Sequence, residues 1–306
     1  MTFETADLGE LPALVRLTRA GQGVTALWRG GRLIDLTPFG FDELLAMPLA
    51  DARSALESAA GPELDPGGFE LIAPVMNQEV WGAGVTYLRS QEARLDEAEV
   101  KDVYSKVYRA ERPEIFFKSA GWRVVPHRGQ VGVRSDSSWD APEPELAVLA
   151  NRHGEVVAYS CGNDMTSRSI EAENPLYLPQ AKTFDKSCSI GPVAVLAWQA
   201  GNVLKAGMRM SIDRDGQRVF MGESSIDKIV RDPSQLVRVV QATYQLPVGA
   251  WVLTGTPIVP DAGYTALPGD VVRIAIDGLG ELLNEVVSIP HSGASARPSF
   301  GPAVRT

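Results

Sequence analysis

Apolar residues enter the chain in short runs: Leu14-Val15-Arg16-Leu17, then Val24-Thr25-Ala26-Leu27-Trp28, then Leu33-Ile34 behind Gly30-Gly31. Runs this short, parted by glycine turns, predict a small meander of strands. From Asp42 to Ala59 the spacing becomes helical, and the stretch from Gly61-Pro62 through Pro66-Gly67-Gly68 interrupts it as a linker does. A small N-terminal domain over residues 1–72 and a larger domain over 73–306 follow. In the larger part, Val100, Val103, Tyr104, Val107 and Tyr108 share one stripe, predicting an amphipathic helix from Glu92 to Ala110 that Glu111-Arg112-Pro113 ends. Beyond Ile115 the pattern is one of hairpins. Leu146 to Leu149 and Val156 to Tyr159 flank Asn151-Arg152-His153-Gly154, and Met208 to Ile212 and Arg218 to Met221 flank Asp213-Arg214-Asp215-Gly216. Val271 to Ile276 and Leu282 to Val287 flank Asp277-Gly278. One more helix, Pro233 to Tyr244, turns Leu236, Val239, Val240 and Tyr244 inward, and the tail after His291 reads as loop. The class is α+β and β-dominated.

Composition narrows the function. Hydrophobic residues make up 44% and charged residues 22% of the 306, the balance of a folded globular protein. The net charge is −9, from 29 Lys and Arg against 38 Asp and Glu, and no basic run is long enough to track phosphates. Nucleic acid is therefore not an expected partner. An acidic chain holds an anionic substrate only where a local cation or bound metal reverses the field. Cys161 and Cys188 are too few for a disulfide framework and lack zinc-site spacing. The N-terminus lacks the basic start and apolar run of a signal peptide, and no apolar stretch nears the ~20 residues that span a bilayer. A cytoplasmic location is the expectation.

Candidate chemistry concentrates in Trp139-Asp140-Ala141-Pro142-Glu143-Pro144-Glu145-Leu146. On an extended chain Glu143 and Glu145 point to the same side with α-carbons ~6.5 to 7 Å apart. Two such carboxylates repel and call for a cation, a shared proton or solvent between them. The prolines at 142 and 144 also deny the strand two ladder donors there. Asp164, after the hairpin returns, falls opposite the start of the first strand and is a third oxygen donor. Three carboxylates with open positions suit Mg²⁺, with Mn²⁺ or Ca²⁺ as substitutes. A lone Glu-x-Glu on a strand is also what a solvated face looks like, so the surrounding motifs decide.

Those motifs are Pro142-Glu143-Pro144-Glu145-Leu146-Ala147-Val148, Gly162-Asn163-Asp164-Met165-Thr166-Ser167-Arg168, Ala181-Lys182-Thr183-Phe184-Asp185 and Ile190-Gly191-Pro192. Leu253-Thr254-Gly255-Thr256-Pro257 and Pro268-Gly269-Asp270 follow in order. Together, over roughly residues 75 to 290, they resemble the fumarylacetoacetate hydrolase superfamily. The resemblance implies a mixed β-roll catalytic domain, a divalent ion held by Glu143, Glu145 and Asp164, and a 2-oxo acid chelated through its carboxylate and carbonyl. The segments Glu111 to Lys118 and Glu171 to Lys182 look like the branch containing 2-dehydro-3-deoxy-D-arabinonate dehydratase.

In the hydrolase branch a His and a Glu, three and six residues after the Tyr of a Gly-x-Asn-Tyr segment, activate water. Here Ser90 and Ala93 stand at those places, after Gly84-Val85-Thr86-Tyr87. Elimination is thus favoured over hydrolysis: loss of a C3 proton and the C4 hydroxyl, with tautomerisation to 2,5-dioxopentanoate for a five-carbon substrate. Lys182 is the first acid/base candidate, with charge balance among the carboxylates as its other role. Glu114, ahead of Ile115-Phe116-Phe117, is the second. Tyr87 and Arg89 are candidates for the distal hydroxyls and Thr256 for the substrate carboxylate, while Arg168 is expected to orient Asp164 or Glu171 by an ion pair. His127, His153 and His291 lie in no family motif and receive no role. Gly82-Ala83-Gly84 lacks the third glycine of a dinucleotide site, and no phosphate loop or nucleophile elbow is present. The partner implied is a small 2-oxo acid, in a homodimer or homotetramer. Other readings are a fumarylacetoacetate or acylpyruvate hydrolase, an isomerase of unsaturated 2-oxo diacids, an oxaloacetate decarboxylase, or a non-catalytic 2-oxo acid binder.

Overall fold

Alternation of apolar and polar residues is carried into strands along most of the chain. The computed structural model describes residues 3–88, 107–108, 110–261 and 263–289. The predicted meander is β1 (Ala13–Arg19), β2 (Gln22–Arg29) and β3 (Arg32–Asp35). The helical stretch after it divides at Met47-Pro48 into α1 (Phe41–Ala46) and α2 (Leu49–Glu57), since proline has no N–H to continue a helical ladder. Next come β4 (Glu70–Ile72), β5 (Glu79–Gly84), β6 (Glu114–Ser119) and β7 (Gln130–Arg134). A short β8 (Asp140–Ala141) precedes the hairpin of β9 (Pro144–Ala150) and β10 (Val156–Asp164). Then follow β11 (Thr166–Ser167), α3 (Arg168–Glu173), α4 (Leu178–Lys182) and β12 (Cys188–Leu196).

The second hairpin is β13 (Gly207–Arg214) with β14 (Gln217–Ser225). At its turn Asp215 (φ 49°) and Gly216 (φ 75°) both take left-handed backbone, as a type I′ turn requires. Last are α5 (Pro233–Gln241), β15 (Ala250–Leu253), β16 (Val271–Ile276) and β17 (Gly280–Ile289). In α5 the buried stripe is Pro233, Leu236, Val237 and Val240. Val237 takes the place expected for Val239, and Tyr244 lies past the helix end, 45% exposed, with its ring against Trp81. The helix expected over Glu92–Ala110 lies almost wholly outside the described residues, as does the tail from His291.

One ten-stranded sheet runs β3-β2-β1-β12-β10-β9-β15-β5-β6, with β4 pairing Arg16, Leu17 and Thr18 of β1 beyond the residues that pair with β12. A five-stranded sheet runs β14-β13-β16-β17-β7. Both are mixed: β15 runs parallel to β5 and β17 parallel to β7 among antiparallel neighbours. One face of the large sheet, with Leu146, Val148, Val193 and Val195, packs on Met208, Met210, Ile274 and Leu282 of the small sheet. Its other face carries Ala147, Leu149, Trp251 and Leu253, joined at the N-terminal side by Phe41, Leu44 and Leu45 of α1. The boundary expected near residue 72 falls after β4. The strands before it join the large sheet through Ala13 opposite Val195 and Leu14 opposite Ala194.

That pairing makes the division at residue 72 testable. A chain beginning at residue 73 would bare the β12 edge and the apolar face that β1 and α1 cover. We expect such a fragment to lose cooperative urea unfolding and to aggregate during gel filtration. A soluble fragment unfolding in one sharp transition would establish an independent second domain.

Candidate metal centre

In a strand, successive side chains alternate between faces, and here that alternation gathers the site. Glu145 stands two residues before Ala147, so it shares the face that Ala147, Leu149 and Leu253 occupy. Across the hairpin Gly162 pairs with Glu145, and Asp164, two residues on, pairs with Glu143: each donates its backbone N–H to the other's carbonyl, at 3.0 and 3.2 Å. The hairpin register thereby places Glu143, Glu145 and Asp164 together. They are 3, 2 and 1% exposed, and one oxygen from each lies within 4.8 Å of the others.

Cations crowd around them. The Lys182 ammonium, at the end of α4, donates to Glu143 Oε2 (2.7 Å), Asp164 Oδ2 (2.9 Å) and Thr166 Oγ1 (2.8 Å). Arg168, 1% exposed at the start of α3, donates through Nη2 to Glu143 Oε1 at 2.7 Å. Lys118, fully buried, forms an ion pair with Asp164 Oδ1 and donates to the backbone carbonyls of Met165 and Lys182. β6 stands four places from β10 in the sheet order, so this contact requires the sheet to curl until its edge strand faces β10. That curl is the roll, and the centre lies inside it.

Glu145 is held differently. β15 ends at Leu253, and the chain continues along β9 with Thr254 N–H donating to Leu146 O and Gly255 N–H to Glu145 Oε2 at 2.6 Å. Gly255 takes φ +91° where a Cβ would strike the Thr86 hydroxyl, so glycine is required there. Burial first, then the negative charges of Asp164 and Glu143, push the Glu145 carboxyl well above the usual carboxylate range, against the opposing pull of Lys182 and the Gly255 N–H. A divalent cation removes that conflict. The donors are hard oxygens with open positions, which fits Mg²⁺, and Mn²⁺ or Ca²⁺ as well. Cys188 sits opposite Asp164 on β12, but burial pushes its thiol up to about 12, so it adds no thiolate to the set.

Formal charges around the centre balance: three carboxylates against Lys118, Lys182 and Arg168. A bound 2+ ion would turn it net positive and favour an anionic substrate despite the acidic chain.

The other expected residues divide. Tyr87 is buried, its hydroxyl pushed up by burial and by the charges of Glu145 and Asp227. It lines a cleft of about 690 Å³ with Phe220, Met221, Lys228 and Ile258. Glu114 begins β6 opposite Gly84. Thr256 is buried, but its hydroxyl closes its own loop, donating to Ile258 O at 3.0 Å and accepting from Ile258 N–H at 3.3 Å. Arg89, Ser90 and Ala93 lie outside the described residues. Arg168 pairs with Glu143, a partner the sequence reading did not name. Lys118 received no role from sequence. Its signal was a lysine closing the Ile115-Phe116-Phe117 run, where a buried ammonium needs an anionic partner.

A sequence profile for the family described as fumarylacetoacetate (FAA) hydrolase C-terminal matches residues 80–287. The "Probable 2-keto-3-deoxyxylonate dehydratase" of Haloferax volcanii is 44% identical over 216 residues, 71% of this chain and 74% of that one. The "2-dehydro-3-deoxy-D-arabinonate dehydratase" of Saccharolobus solfataricus is 38% identical over 222 residues, again 71% and 74%. A solved structure described as "2-keto-3-deoxy-D-arabinonate dehydratase complexed with magnesium and 2,5-dioxopentanoate" superposes with a TM-score of 0.80 at 30% identity, covering 90% of this chain and 98% of that one.

Lys118 offers a test of the charge network. Removing one partner of a buried ion pair strands the other, so Lys118→Met is expected to cost about 3–5 kcal/mol in urea unfolding of the metal-free protein. A loss below about 1 kcal/mol, the range of surface pairs, would make the lysine a bystander.

Proposed function

The chain belongs to the fumarylacetoacetate (FAA) hydrolase C-terminal family, and on that premise we propose that it is a magnesium-dependent dehydratase converting 2-dehydro-3-deoxy-D-arabinonate to 2,5-dioxopentanoate. The observation that carries the reading is the buried set Glu143, Glu145 and Asp164, in a chain that superposes on a dehydratase solved with magnesium and that product. Ser90 and Ala93, where hydrolases of the family keep a water-activating His and Glu, support elimination over hydrolysis.

In this reading Glu143, Glu145 and Asp164 hold the ion, which when bound draws electron density from the substrate's 2-carbonyl and acidifies the C3 protons. Lys182 places an ammonium against the same carboxylates, facing the negative charge that develops when C3 loses its proton. Glu114 takes the C3 proton and returns it to the C4 hydroxyl, which leaves as water; a proton shift from C5 to C3 then gives the C4=C5 enol, which loses its hydroxyl proton and gains one at C4 to become the C5 aldehyde. Tyr87 and Arg89 contact the distal hydroxyls and Thr256 the substrate carboxylate, the last after its hydroxyl leaves Ile258. Arg168 and Lys118 fix the carboxylate orientations from behind. The enzyme is read as a cytoplasmic participant in pentose catabolism and as a homodimer or homotetramer, states that analytical ultracentrifugation separates.

The direct assay is purified protein with Mg²⁺ and 2-dehydro-3-deoxy-D-arabinonate, following 2,5-dioxopentanoate by coupled oxidation. Turnover is expected, falling at least 100-fold in Glu143→Gln/Glu145→Gln, on the order of the loss of one strong electrostatic contribution. Pyruvate release from an acylpyruvate, with no dioxopentanoate formed, would replace the dehydratase by a hydrolase.

A further inference from the structure

Two glycines in one six-residue strand are unfavourable for a sheet, because each adds chain freedom and no packing. β5 carries them at Gly82 and Gly84. Neither has positive φ, so the backbone does not demand glycine at either place. Space does. Gly82 pairs with Phe116 and Gly84 with Glu114 on the edge strand β6. A Cβ on Gly84 would lie 2.7 Å from Glu114 Cδ and closer still to Oε2, and one on Gly82 would lie 2.6 Å from Phe116 Cε2. Both side chains therefore fold across β5, over the missing Cβ atoms, instead of standing up from their own strand.

The crossing leads inward. Gly82 pairs across its other edge with Leu253, which pairs with Ala147, two residues from Glu145. Glu114 and Phe116 alternate onto one face of β6, and Lys118 stands where the register with β5 shifts, between Phe117 and Ser119. Lys118 reaches Asp164, and the Phe116 ring centre lies 5.5 Å from Lys182 Nζ. Beside Gly84, Thr86 Oγ1 donates to Thr254 O at 2.5 Å, directly before the Gly255 that holds Glu145.

We propose that Gly82 and Gly84 are side-chain-free slots through which the edge strand delivers Phe116 and Glu114 to the centre, Gly84 being the positioning residue for the Glu114 carboxylate. The inference rests on the catalytic reading of Glu114 and extends it. A methyl group at position 84 would meet the flexible end of Glu114, so the fold can accept it while the carboxylate is displaced.

The test is a cycle of Gly84→Ala, Glu114→Gln and the double variant, with kcat, KM, Mg²⁺ affinity by calorimetry and Tm measured on each. Gly84→Ala is expected to keep its Mg²⁺ affinity and a Tm within a few degrees of the parent, to leave KM within about threefold, and to lower kcat on the order of 100-fold, the size of a lost proton transfer. The double variant should be no slower than Glu114→Gln, because both changes remove one contribution. Full activity in Gly84→Ala beside an impaired Glu114→Gln would overturn the slot and leave the Glu114 role standing. Full activity in Glu114→Gln would overturn the catalytic reading and the slot's purpose with it. If Gly84→Ala does not fold, Gly84→Ala/Glu114→Ser, which empties the slot, should restore folding, and its failure would overturn the proposal.

Discussion

Three carboxylates buried within 4.8 Å of one another are the constraint on which the centre is built. Repulsion among them, sharpened by the absence of water, would expel them or protonate them without cations close by. The chain supplies three such cations from three separate elements: Lys118 from an edge strand, Arg168 from the start of α3 and Lys182 from the end of α4. Each is itself buried, and each has a carboxylate of the centre among its partners. Neither half of the arrangement tolerates burial without the other, so the network ties β6, β9, β10, α3 and α4 together.

The geometry of the roll follows from the same requirement. A flat sheet would hold Lys118 four strands away from Asp164. Curling brings the edge strand over the centre, and the glycines of β5 keep the path between them clear. Gly255 adds a backbone donor for Glu145, the one carboxylate without a lysine or arginine hydrogen bond of its own among the contacts described. Preorganisation of this kind leaves the oxygens aimed at a common point before an ion arrives.

Legibility in the sequence followed range. Local features were plain: the hairpin turn at Asp215-Gly216, the same-side placement of Glu143 and Glu145, and the return of Asp164 all follow from a period of two and a turn position. Break points set by proline shifted boundaries, as where Pro48 divides one expected helix into α1 and α2. The Lys118 contact and the pairing of Arg168 with Glu143 were not legible, because both depend on how far the sheet curls and where α3 begins. Gly82-Ala83-Gly84 was visible but uninformative as a motif, since its meaning lies in which side chains of a strand 30 residues later cross it. Assignment of the substrate rested on resemblance, since a carboxylate cluster alone is compatible with many 2-oxo acids.

Whether the three carboxylates form one metal centre is measured most directly by titrating Mn²⁺ into metal-free protein and following free ion by electron paramagnetic resonance. The account predicts one tight site per chain, competed by Mg²⁺ and abolished in Glu145→Gln. Binding that persists unchanged in that variant, or no binding at all, would contradict it.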